Sequence, residues 1–140
     1  MGARKTHRND VEGERVMKRD MDLIRLILLE IEKAEENEVE NMNIDGYSKE
    51  DIVFNAKLLK QNNMIENFEE DVLGNYYIGS LTWGGSDYLD SIRDNSKWKR
   101  IKSVIKEKAL PFTFDIVKSV ATTIIAATAE GITNSILHNP

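Results

Sequence analysis

A chain of 140 residues and 16.0 kDa is long enough to bury one sizeable core, and 41% hydrophobic with 31% charged residues is the composition of a folded domain. Zero Cys excludes disulfides, thiolate metal sites and thiol nucleophiles, and it fits a reducing compartment, so the expected localisation is cytoplasmic. A formal net charge of −5 excludes a protein that coats nucleic acid without regard to sequence, while a local basic face stays compatible with it.

The opening MGARKTHRND has no apolar run behind its charges and so does not read as a secretory signal. Gly2 with Thr6 fits a myristoylation acceptor pattern, a reading with no other support in the sequence. Residues 1–16 hold only Val11 and Val16 as large apolar residues and are expected to be a flexible arm. From Met17 the pattern changes. Leu23, Ile24, Ile27, Leu28 and Ile31 recur at helical spacing, Asp20 or Asp22 can cap the start, and a helix is predicted over Met21–Lys33.

Residues 34–43 are acidic and rich in Asn, which suits a loop, and Ile44-Asp45-Gly46-Tyr47 reads as a turn with room for a short strand. Ser48 opens a capping box and predicts a helix over Lys49–Gln61, with Ile52, Ala56 and Leu59 on its buried face and Asn62-Asn63 at its end. Residues 64–68 and 76–82 have strand character and are separated by Glu69-Glu70-Asp71 and Gly74-Asn75, the signature of a β-hairpin. A helix is then predicted over 86–94, burying Tyr88, Leu89 and Ile92. Another, capped by Asn95 or Ser96, reaches about 108 with Trp98, Ile101, Val104 and Ile105 inward, and Pro111 stops it. Thr113 or Asp115 opens a last helix that extends to about 137. The expected fold is α+β, mostly α: an arm at 1–16, a winged-helix domain at 17–110 and a C-terminal helix rich in small residues at 111–140.

The strings MKRDMDLIRLILLEIE (17–32), GYSKEDIVFNAKLLKQNNMIE (46–66), LTWGGSDYLDSIRD (81–94) and TFDIVKSVAT (113–122) sharpen this reading. Together they resemble the bacterial and phage family called domain of unknown function 2513, over nearly all of residues 17–126. The resemblance implies a winged-helix fold and a phage, prophage or host setting, and it implies no activity. Asn55-Ala56 stands where the family commonly has His-Leu, and Ser86 stands where it commonly has His. The family also tends to start at the equivalent of Met17, which makes residues 1–16 an extension or a misassigned start.

Catalysis needs a nucleophile with a base, a paired carboxylate site or metal ligands at workable spacing. The two histidines, His7 and His138, sit at the two ends of the chain, where neither can be held rigidly. Asp87, Asp90 and Asp94 share a helix face but read better as a solvated acidic face than as a cation site. Gly84-Gly85 lacks the spacing and the Lys of a phosphate loop and reads as a tight turn, and Trp83 and Trp98 read as core. No enzyme activity, metal or cofactor is expected.

Three surfaces remain as candidates. The helix Lys49–Gln61 shows Lys49, Asn55, Lys57, Lys60 and Gln61, residue types that read base edges or grip phosphate, although Glu50, Asp51 and the acidic turn oppose that role. The next, Lys97, Lys99, Arg100, Lys102, Lys106 and Lys108 with only Glu107 against them, is the best nucleic-acid footprint in the chain. The last helix carries one charge, Glu130, between Ser119 and Leu137, and a ridge of small residues. Ile124, Ala127, Gly131, Ile132 and Ser135 are the expected contacts of a homo-oligomer, with packing of the helix on its own domain as the alternative, while its Thr, Ser and Asn content argues against a membrane span. The expected function is a non-enzymatic DNA-binding regulator. The alternative is a module that uses the same scaffold on a host or phage protein.

Overall fold

A computed structural model describes residues 17–124; the expectations for residues 1–16 and for Ala127, Gly131, Ile132 and Ser135 lie outside that range. The described chain is α+β and mostly helical, in the order α1 (Met21–Lys33), β1 (Glu38–Glu40), α2 (Lys49–Gln61), β2 (Phe68–Glu70), β3 (Tyr76–Gly79), α3 (Trp83–Ile92) and α4 (Asn95–Glu107). A fifth helix, α5, starts at residue 114 and is described to 124. The chain divides into two compact units within α3, between Asp87 and Tyr88.

In the first unit, Leu23, Ile24, Ile27 and Leu28 of α1 and Ile52, Ala56 and Leu59 of α2 are almost wholly removed from water, and the two helices pack on each other. Each starts where its sequence offers an acceptor. The Asp20 carboxylate accepts from Leu23 N at 3.0 Å, and Ser48 Oγ accepts from Asp51 N at 3.1 Å. Asn62 follows α2 as its C-cap, and Asn63 takes the left-handed backbone (φ 57°) that ends it, a conformation Asn tolerates.

The three strands form an antiparallel sheet in the order β1-β3-β2. Its first strand lies at Glu38–Glu40, inside the stretch expected to be loop, and not in the turn at 44–47. Two Glu residues hid it, because both face outward while Val39 alone points to Ile78. The register aligns Val39, Ile78 and Phe68 on one face and Glu40, Tyr77 and Glu69 on the other. The first hairpin strand is displaced from its expected place at 64–68: Glu69 and Glu70, expected in the turn, pair with Tyr77 and Tyr76 within β2, while β3 is shorter than its pattern suggested and an isolated Ile65–Leu81 bridge lies beyond them.

Helix α3 begins three residues earlier than predicted. Thr82 acts as its cap, accepting from Gly85 N at 2.9 Å while its hydroxyl donates to the Asn63 carbonyl at 2.6 Å. Trp83 therefore occupies the first helical position and is 90% exposed, a correction to the expectation that it belongs to the core. Gly84 and Gly85 lie within the helix, where Gly85 allows a close crossing: a Cβ there would stand 2.0 Å from the Met64 carbonyl oxygen.

The second unit buries Tyr88, Leu89 and Ile92 of α3, Trp98, Ile101 and Ile105 of α4, and Val117, Val120 and Ala121 of α5. Tyr88 meets Phe114 edge-on with ring centres 4.9 Å apart, and Trp98 lies 5.8 Å from Phe112. Asp94, not Asn95 or Ser96, caps α4 by accepting from Lys97 N at 2.7 Å, and Thr113 caps α5 by accepting from Ile116 N at 3.3 Å. The Tyr88 hydroxyl is buried without a hydrogen-bond partner among the described residues.

The two adjacent glycines should respond in opposite ways to one methyl group. Gly85→Ala is expected to lower unfolding stability by about 3 kcal/mol, because backbone must move to admit it. Gly84→Ala, whose Cβ would meet nothing nearer than 3.7 Å, should be neutral or stabilising by up to ~1 kcal/mol in the same urea titration.

Candidate functional site

The surface around α2 and the β2–β3 hairpin, expected to read DNA, assembles differently from the sequence reading. Asn55 is 1% exposed. Its Oδ1 accepts from Asp20 N at 2.8 Å, and its Nδ2 donates to the carbonyls of Asp51 at 2.9 Å and Lys18 at 3.3 Å. A side chain engaged on three sides inside the fold cannot also read a base edge, so Asn55 is corrected from binding residue to structural bond. Its position was legible: Ile52, Asn55, Ala56 and Leu59 follow i, i+3, i+4, i+7, and only the polarity of Asn disguised its place on the buried stripe.

Two of the three lysines of α2, Lys49 and Lys57, are exposed but directed at the hairpin. Lys49 Nζ donates to the Gly74 carbonyl and lies 5.9 Å from the centre of the Tyr76 ring. Lys57 Nζ is 3.1 Å from a Glu70 carboxylate oxygen and 5.9 Å from the Phe68 ring centre. Both partners of that ion pair are more than 40% exposed, so it orients the two elements and adds little stability. Lys60 and Gln61 are exposed at the far end of the helix.

The hairpin turn is braced from within. The Asp71 carboxylate accepts from Leu73 N at 2.9 Å, Asn75 N at 2.9 Å, Asn75 Nδ2 at 3.0 Å and the Tyr77 hydroxyl at 3.0 Å. The Asn75 side chain and these other donors hold the Asp71 carboxyl below its ordinary range. Donation to Asp71 raises the Tyr77 hydroxyl, with lesser contributions from desolvation and from the charges of Asp71, Glu40 and Glu38. Gly74 takes a positive φ of 91° to close the turn. At its tip Val72 is 99% and Leu73 84% exposed, a feature the sequence reading missed; the available signal was an apolar pair inside a turn, outside either strand's alternation.

Beside the tip lies a cleft of about 420 Å³ lined by Leu73, Asn41, Asn43, Asn75, Lys49 and Tyr76, among others. Asn41 closes one end of the sheet: its Nδ2 donates to Asn75 Oδ1 at 3.0 Å, and its Oδ1 accepts from Tyr76 N at 2.9 Å. The Tyr76 hydroxyl donates to the Met42 carbonyl. Tyr47, at the start of α2, is pushed up to about 12 by burial and by Asp20, Asp22 and Asp51, which marks that corner as acidic as well.

On α4, Lys99, Arg100, Lys106 and Lys108 are exposed and Lys97 and Lys102 half-buried, with Lys102 Nζ 5.6 Å from the Trp98 ring centre. The acids once considered for a cation are committed separately: Asp90 pairs with Arg93 at 2.5 Å and Asp94 caps α4. Ile124 is half-buried.

A family model described as "Hypothetical protein (DUF2513)" matches residues 18–111. The chain belongs to the DUF2513 family. Over 114 residues it is 36% identical to an uncharacterised protein of Haemophilus influenzae, in an alignment that takes in 79% of this chain and 97% of that relative. No solved structure matches.

Two outcomes follow from the hydrogen bonding. Asn55→Ala should lower stability by about 1–3 kcal/mol in urea unfolding, since it removes the partner of the part-buried Asp20 N–H and the link to the Lys18 carbonyl. A lowered carboxyl pKa means that the Asp71 brace is fully present above the ordinary Asp range of ~3.9 and is lost as pH falls through the lower folded value. The Leu73 and Asn75 amide resonances should thus hold steady from neutral pH to pH ~4 and move only below it.

Proposed function

We propose that this DUF2513 protein is a non-enzymatic winged-helix module that binds a partner protein in the cytoplasm of a bacterium or a phage-infected cell, with no cofactor. The order of α1, β1, α2 and the β2–β3 hairpin supports the winged-helix reading, with α2 in the place of a recognition helix and the hairpin as wing. The observation that carries the choice of partner is charge. Residues 17–87, the described part of the unit that would have to approach phosphates, hold seven Lys and Arg against sixteen Asp and Glu, an excess of nine acids. Lys49 and Lys57 are turned to the hairpin, where Glu69, Glu70 and Asp71 add to the repulsion.

A DNA-binding regulator is the second reading, and α4 favours it: Lys97, Lys99, Arg100, Lys102, Lys106 and Lys108 face a single acid, Glu107, on that helix. In that mode α4 grips the phosphate backbone and α2 does no reading.

Retention on heparin and on random-sequence duplex DNA, followed through a salt series, separates the two. The protein-partner reading expects passage through both columns at ~50 mM salt. Tight retention with a steep salt slope, abolished by changing Lys97, Lys99, Arg100 and Lys102 to Glu, would overturn it in favour of the regulator.

A further inference from the structure

We propose that the β2–β3 turn is the docking element of this module and that its occupant is a protein surface with an apolar pocket rimmed by Lys or Arg. The inference rests on the protein-partner reading and names the chemistry of that partner. Val72 and Leu73 project into solvent from the tip, 99% and 84% exposed, on a turn that is rigidly built. Four donors converge on the Asp71 carboxylate, Asp71 N donates to the Asn75 carbonyl at 2.9 Å, Gly74 N donates to the Asp71 carbonyl at 3.2 Å, and Lys49 holds the Gly74 carbonyl from α2. Apolar side chains on a pre-formed turn dock with little further ordering of the chain, which is the main cost of using a loop for binding.

Charge identifies the occupant. Glu69, Glu70 and Asp71 lead directly into the tip, and Glu40 lies across the sheet from Glu69 on the same outward face, with Tyr77 between them. A bilayer with anionic headgroups and a nucleic-acid backbone both repel such a rim, whereas Lys or Arg around an apolar pocket complements it. The adjoining cleft adds a concave part: Leu73 forms one wall and Asn43 lines it, beside the Asn41 and Asn75 amides that are already bonded to each other, to Tyr76 N and to Asp71.

The test uses the full chain labelled with 15N and, as probe, a synthetic helical peptide of Leu and Lys with Leu along one face. Resonance shifts should concentrate at residues 69–75 and 41–43. The double variant Val72→Ser/Leu73→Ser keeps every charge and alters only exposed positions, and it should bind the peptide about tenfold more weakly or worse at the same salt. Equal affinity of the double variant, shifts spread over the acids of α1 and α2, or no binding at low salt would each overturn the proposal. So would sedimentation of the unmodified protein as a dimer that the double variant dissociates, because the occupant would then be a second copy. Retention on duplex DNA with tip-dependent peptide binding intact would remove the functional reading and keep this surface; tip-independent binding with no DNA retention would do the reverse.

Discussion

The pairing of α1 with α2 depends on one buried amide. Asp20 caps α1 with its side chain, but the backbone N–H of that same residue is held by Asn55 from the neighbouring helix, and the Asn55 amide group closes onto Lys18 and Asp51. The entry of the chain into α1 is thus fixed by a residue on α2, and the apolar stripe of α1 is set against Ile52, Ala56 and Leu59 in one register. A hydrophobic residue at position 55 could fill the space but could not hold the part-buried Asp20 N–H and the Lys18 carbonyl, so specificity here comes from polarity inside an apolar layer.

With α2 placed, the hairpin is positioned by contacts along its length. Lys49 reaches the Gly74 carbonyl near the start of the helix, Lys57 pairs with Glu70 in the middle, and past the C-terminus Thr82 donates to the Asn63 carbonyl while Gly85 lets α3 cross close to Met64. Each exposed link is weak taken singly. Their common effect is directional: Lys49 and Lys57, which a groove-reading helix would turn outward, are turned onto the hairpin, and the hairpin presents carboxylates and two apolar side chains instead. The same residues that shape the unit thereby narrow what it can bind.

Much of the fold could be read from the sequence because helices announce themselves through caps and periodicity. Asp20, Ser48, Thr113 and the stripes on α1 and α2 set those starts correctly, and both helices span the residues their patterns indicated. The errors fell where a residue type carries two meanings. Glu38 and Glu40 looked like loop because a strand with one solvated face needs only its inward residue to be apolar, and in a strand of three that leaves Val39 alone. Thr82 looked like the end of a strand, yet its hydroxyl serves as a helix cap, which moved the start of α3 to Trp83 and carried that indole into solvent. Of the α2 binding surface, residue exposure at Lys49, Lys57, Lys60 and Gln61 was legible; the partners that Lys49 and Lys57 choose were not, since those arise from the hairpin's path through space.

Charge is distributed along this chain as unevenly as hydrophobicity. Residues 17–87 have nine more acids than bases, whereas residues 88–140 have eight Lys and Arg against five Asp and Glu. A net charge of −5 conceals that asymmetry, and it is the asymmetry that an approaching molecule meets. At a screening length of about 8 Å in physiological salt, a partner close to the hairpin feels mainly the charges within that reach, among them Glu69, Glu70 and Asp71. On the docking mode proposed above, encounter with the first unit would select for basic surfaces before any contact is made, and the exposed Val72–Leu73 pair would discriminate among them by whether an apolar pocket lies at the centre of the charge. Steering and fit are divided between different residues of one short turn, so a change in either has its own signature: loss of the acids acts on the rate of association and its salt dependence, and loss of the apolar pair acts on the lifetime of the complex.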